Sequence, residues 1–136
     1  MRVTESGMVQ APVSVGELLD KITILEIKAE RIADEGKLVN VKKELSALNA
    51  VAAAAFALDA AGQEIMAALR QVNSLLWDVE DEIRDCERNK DFGSRFIELA
   101  RSVYRHNDRR ALLKKQLNEL TGSQLHEEKS YADYGP

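Results

Sequence analysis

An all-α fold, an antiparallel bundle of about four helices forming one domain over residues 1–136, is the architecture this sequence predicts. Apolar residues recur at alternating steps of three and four along four successive tracks, which is the period of helices that bury one face. Helix breakers are scarce, with seven Gly and two Pro, and 45% hydrophobic against 31% charged residues is the balance of a folded domain. Stripes on segments joined by short connections must cover one another, and a bundle does so.

Ser14-Val15-Gly16-Glu17 opens the first helix as a capping box, in which the serine hydroxyl and the glutamate carboxylate each satisfy a backbone N–H. Val15, Leu18, Ile22, Leu25, Ala29 and Ile32 then keep the rhythm, and Gly36 is the expected stop, giving residues 15–35. Leu38, Val41, Leu45, Leu48, Ala52 and Ala55 make an alanine-rich second helix over residues 38–60, ended by a turn at Asp59-Ala60-Ala61-Gly62. The cleanest track, Ile65, Leu69, Val72, Leu76, Val79, Ile83 and Cys86, gives a helix over residues 63–89. Turn formers between Asn89 and Ser94 lead into Phe92, Phe96, Leu99, Val103, His106, Arg110, Leu113, Leu117 and Leu120, a helix over residues 92–120 closed by Gly122. Residues 1–13 are left as an extended arm and residues 121–136 as a polar tail.

Charge adds a pairing. Residues 61–90 hold four basic and seven acidic side chains, and residues 91–120 hold seven basic and four acidic, so helices three and four are expected to form a complementary hairpin. The first helix is unusual in carrying Ile24 and Ile27 away from its stripe, which makes it apolar nearly all round. No helix is expected to be central in so small a bundle. The excess therefore predicts a homodimer through this helix, unless the arm or the tail folds over Ile24.

The formal charge of −4, and the lack of interleaved exposed aromatics, argue against nucleic acid as a partner. The longest uncharged run, Leu45 to Leu58, is 14 residues, short of the roughly 18 a membrane span requires. No apolar stretch of secretory length opens the chain. One cysteine, Cys86, and two histidines, His106 and His126, supply no disulfide and no Cys/His metal set, so a reducing cytoplasm is expected and no metal or cofactor is implied. Cys86 lies on a core stripe, where a thiol is inert.

Polar residues on apolar tracks are the candidates for function. Glu26 falls on or beside the apolar face of the first helix, and a carboxylate there needs a proton or a cation. His106 and Arg110, the misfits of the fourth track, are its expected partners, flanked by Asn107 and Lys114. On the third helix Asn73, Trp77, Glu80 and Arg84 fall within about 60° of one another and form a polar seam. This seam is expected to run beside Arg101, Tyr104, Asn107 and Asp108 of the fourth helix. Such a set has two readings. Either it is a satisfied interhelical ion pair that fixes register, or its guanidinium and ammonium groups grip a phosphorylated anion. Glu17-x-x-Asp20 and Glu82-x-x-Asp85 each put two carboxylates on one helical face, as metal-assisted hydrolysis needs, but the pairs lie far apart in the chain.

The segments Ser14 to Lys28, Leu76-Trp77-Asp78-Val79-Glu80-Asp81, Ala100-Arg101-Ser102-Val103-Tyr104 with Asn107-Asp108, and Glu127-Glu128-Lys129-Ser130-Tyr131 resemble those of a family of short uncharacterised bacterial proteins. The resemblance runs from about Val13 to Tyr134, implies a stand-alone bacterial domain, and transfers no catalytic residue. It draws attention to Lys129 and Tyr131, which either dock back on the bundle to cap the polar seam or belong to a solvated terminus. The favoured expectation is a non-enzymatic interaction or scaffolding module, a homodimer with a protein partner still to be found. The alternative is a small-anion protein, acting on a phosphorylated or nucleotide-linked metabolite, with Arg101, Arg110 and Lys114 on the anion and Glu26 or Glu80 as base.

Overall fold

The computed structural model describes residues 7–136, and among them it contains four α-helices: α1 (Val15–Arg31), α2 (Glu35–Ala55), α3 (Ala60–Arg88) and α4 (Ser94–Thr121). The expected arm includes residues 1–6, which lie outside the described residues.

Each boundary has a local cause. Ser14 caps α1 by accepting a hydrogen bond from the Glu17 N–H, but only half of the expected capping box forms, because the Glu17 carboxylate turns to another helix. The first helix stops at Arg31 rather than at residue 35. Asp34 caps α2 by accepting from the Lys37 N–H, so Gly36 lies inside a first turn instead of ending a helix. The second break comes earlier than residues 59–62. Phe56 is extended, and Asp59 caps α3 by accepting from the Gly62 N–H, which puts Gly62 inside α3. Gly122 ends α4 in the left-handed conformation, at φ 68°, with the Ser123 N–H returned to the Asn118 carbonyl.

Contacts along the chain fix the directions. Gly16, Glu17 and Asp20 of α1 meet Asn118, Lys114 and Arg110 of α4 in descending order, so α1 and α4 are antiparallel. The α3–α4 hairpin is the most extensive contact, α1 packs on all three other helices, and α2 packs on α1 alone. The expectation that no helix is central is thus corrected. Because α2 stands outside, α1 is sealed on several sides, with Leu25 and Ile27 at 2% and 1% exposure. Ile27 is accordingly internal to the chain, and Ile24 lies half-buried in a groove.

The core joins Leu18, Leu19 and Ile22 of α1 to Leu69 and Val72 of α3 and to Leu113 and Leu117 of α4, with Leu45, Leu48 and Phe56 against its edge. Full burial of each such side chain stabilises by about 1.5–3 kcal/mol. Cys86 is fully buried in α3. The charge pairing expected between helices three and four is absent among the described residues. The ion pairs of α3 run within α3, to Lys90 of the turn that follows it or to α1, and those of α4 run within α4, to α1 or to the tail.

Candidate functional site

A second stripe on α1, Gly16, Asp20, Thr23 and Ile27, is buried alongside the main apolar one. It faces α4, where Arg110, Lys114 and Asn118 recur every four residues. The helices approach closely because position 16 is glycine. An added Cβ there stands 2.5 Å from the Lys114 carbonyl oxygen. The Gly16 N–H donates to Asn118 Oδ1 at 2.6 Å, and the Val15 N–H donates to Ser123 Oγ at 3.2 Å. With the Glu17 N–H on Ser14, the first donors of α1 are consumed by the protein itself.

One turn further in, Asp20 is 1% exposed, and Arg110 grips it with a two-pronged fork. Nε donates to Oδ1 at 2.9 Å and Nη2 to Oδ2 at 2.5 Å. Asn73 Nδ2 donates to the same Oδ1 at 2.9 Å and to Thr23 Oγ1 at 2.8 Å. The Thr23 hydroxyl donates in turn to the Asp20 carbonyl. Lys114, whose side chain is 10% exposed, bonds Glu17 at 2.6 Å and Glu127 at 2.8 Å, and lies 4.0 Å from Asp20. Lys129 bonds the other Glu127 oxygen at 3.1 Å. Three cations and three carboxylates so neutralise one another, and no buried side-chain nitrogen or oxygen among the described residues lacks a partner.

These contacts reinforce the charged forms. The hydrogen bond to Asp20 raises the Arg110 guanidinium further. Burial, the largest influence on Lys114, pulls its ammonium down, but bonds to Glu127 and Glu17 outweigh it and the net shift is upward. Lys114, and after it Lys129, hold the Glu127 carboxyl at about 2, below the ordinary carboxylate range. All three shifts run away from neutrality, opposite to what a general acid or base working near pH 7 needs. Glu17 and Asp20 converge on an ammonium and not on an open coordination position, and no group of three or more His, Cys, Asp and Glu among the described residues could hold a metal ion.

Beside the network an open groove of about 430 Å³ runs between α1, α3 and α4. Ile24, Leu76 and Trp77 are its apolar lining, and Asn73, Glu80, Asp81, Arg84, Asn107 and Arg110 its polar one. Arg31 lies 5.8 Å above the Trp77 ring and pairs with Asp78. Glu80 and Arg84 pair along α3 at 2.5 Å.

The sequence-derived set divides in three. Asn73, Arg110, Lys114 and Lys129 belong to the charge network. Trp77, Glu80, Arg84 and Asn107 line the groove together with Asn73 and Arg110. Arg101, Tyr104 and Tyr131 belong to neither. Arg101 pairs with Glu98, the Tyr104 ring packs 4.9 Å from Tyr134 of the returning tail, and Tyr131 is 79% exposed beneath Lys129. The expected partnership of Glu26 with Arg110 is corrected. Glu26 is half-buried outside the network, His106 takes no part in it, and Asp20 is the carboxylate that Arg110 holds. Asp20 was a candidate only as a carboxylate paired with Glu17 for metal-assisted hydrolysis, and Thr23, Asn118 and Glu127 were not among the candidates. The signal for Asp20 and Thr23 was the Gly16–Asp20–Thr23–Ile27 spacing, a second buried face on one helix.

No helix among the described residues is long and apolar enough to cross a membrane. The chain belongs to a family of unknown function, DUF6165, which matches residues 9–134. No curated protein and no solved structure matches it.

Proposed function

We infer that this member of a family of unknown function is a non-catalytic interaction module of a bacterial cytoplasm that associates with itself, and that its buried charges hold helix register. The observation that carries the reading is the mutual neutralisation of Arg110, Lys114 and Lys129 by Asp20, Glu17 and Glu127. A site for a phosphorylated ligand needs a cation left over to meet the phosphate. Here each cation next to the groove already has its carboxylate, and Arg110 and Lys114 spend theirs in a partly or fully buried setting where exchange for a solute is costly. A fully buried Cys86 suits a reducing compartment. With Ile27 inside the chain, the half-buried Ile24 is what remains of the apolar excess of α1 for self-association.

Thermal unfolding in the presence of nucleotides and sugar phosphates tests this. The expected result is no stabilisation of the wild-type protein by any of them, since a ligand at 100 times its Kd stabilises by about 2.7 kcal/mol. A stabilisation that disappears in Arg110→Met would establish the anion-site alternative instead.

A further inference from the structure

The first helix changes partner along its length. Asp20 is held by Arg110 of α4, but the last turn of α1 pairs with α3, Glu30 with Arg70 and Arg31 with Asp78. The open groove of about 430 Å³ lies where α1 leaves α4, with Ile24, Leu76 and Trp77 as its apolar lining. Through Asp81 and Arg84 it continues into a recess on α3 that Glu82, Asp85 and Arg88 also line.

The polar groups of this trough hold hydrogen-bonding capacity that the chain leaves unused. Asn73 is 6% exposed and spends its Nδ2 hydrogens on Asp20 and Thr23 of α1. Its Oδ1 accepts no hydrogen bond, and since no enclosed side-chain oxygen among the described residues lacks a partner, this one opens on the groove. Nε and Nη2 of Arg110 face Asp20, which leaves Nη1 without a bond. The Asn107 amide and the Trp77 indole N–H form no hydrogen bond among the described residues. None of these groups adds a net charge, because Asp20 neutralises Arg110. Unbalanced charge enters only farther along α3. Glu80 answers Arg84 and Asp85 answers Arg88, whereas Asp81 and Glu82 form no ion pair among the described residues.

Neutral donors and an acceptor gathered in one groove match a main chain whose amides are unpaired. An extended segment has such amides, and a helix has spent its own internally. The spacing along α3 agrees. Asp81 lies one helical turn, about 6 Å, beyond Trp77, and side chains two apart on an extended chain stand on one side about 6.6 Å apart. Resting on the interaction role proposed above, we propose that this trough binds an extended segment of a partner protein, with an apolar side chain on Ile24, Leu76 and Trp77 and a Lys or Arg two residues away on Asp81. On the other side of the apolar residue the partner's main chain takes the hydrogen bonds of Asn73, Asn107 and Arg110. Apolar burial supplies affinity, and the unpaired carboxylates select a basic partner.

Titration of the full chain with synthetic peptides, followed by NMR at the indole N–H of Trp77, the single tryptophan, tests the proposal. Two peptides capped at both ends, Ala-Leu-Ala-Lys-Ala and Ala-Lys-Ala-Leu-Ala, cover the two chain directions, and the same pair with Glu in place of Lys is the control. A saturable shift with at least one lysine peptide, and none with the glutamate peptides, is expected. Asp81→Lys and, separately, Asn107→Leu should each weaken that binding about fivefold while keeping the wild-type helical circular dichroism. No shift with either lysine peptide, equal binding of the glutamate peptides, or variants that bind as the wild type does would each overturn the proposal. The interaction role would then still stand, because unfolding with nucleotides and sugar phosphates decides it separately.

Discussion

Arg110 of α4 holds both carboxylate oxygens of Asp20 of α1, at 2.9 and 2.5 Å, across 90 residues of chain. The two ends of that pair are not equivalent, since the Asp20 side chain is 1% exposed and that of Arg110 is 29% exposed. Arg110→Met strands a carboxylate in the interior and should cost about 3–5 kcal/mol in urea unfolding. Asp20→Asn leaves a guanidinium that reaches water, and should cost less than Arg110→Met.

Gly16→Ala should destabilise despite the better helix propensity of alanine. The propensity gain is about 1 kcal/mol. Against it, the new Cβ would stand 2.5 Å from backbone, the Lys114 carbonyl, which cannot move aside as a side-chain tip can. Overpacking of this kind costs about 1–3 kcal/mol, and separating the helices also lengthens the Gly16–Asn118 hydrogen bond. A lowered melting temperature is the expected readout.

Much of the fold was legible because long apolar tracks at helical spacing admit few alternatives. Four of its ends were shifted for one reason: Asp34 and Asp59 act as caps, and a capping side chain outranks a nearby glycine in placing a helix start. The site was less legible. Asp20 sits between Leu19 and Lys21 in a run that reads as one amphipathic face, and its burial follows from α1 being central, a tertiary fact created by α2 standing aside. Arg110 was visible because it interrupts a clean apolar track. Its partner was not, because Glu26 and Asp20 differ only in which side of α1 meets α4.

Glu127 ties the tail to the bundle through Lys114 and Lys129, and its carboxyl is held at about 2. Its folded value lies below the roughly 4.3 of an unfolded glutamate, so it stabilises the fold at neutral pH. That contribution is lost as pH falls from about 4.3 through about 2. With the Glu127 side chain 43% exposed the effect is screened, of order 1 kcal/mol or less. Glu127→Gln should melt below the wild-type protein at pH 7, and the difference should vanish near pH 2. A carboxyl titration by NMR that finds Glu127 at the ordinary value would remove the basis for this.

Cys86 is 0% exposed and sits in the α3 face covered by the hairpin. A thiol reagent should react with it only through opening of that hairpin, so the rate should rise as global stability falls across the variants above. Fast labelling of the native protein would mean that the α3–α4 contact opens independently of the rest.

A double-mutant cycle on Asp20 and Arg110, read by urea unfolding, bears most directly on the claim that the buried charges are structural. Asp20→Leu with Arg110→Met leaves Lys114 with Glu17 and Glu127, and Asn73 with Thr23. The predicted result is a double variant that is more stable than Arg110→Met alone, folded, helical and coupled by at least about 1.5 kcal/mol. Additive losses, with no coupling between the two positions, would contradict it.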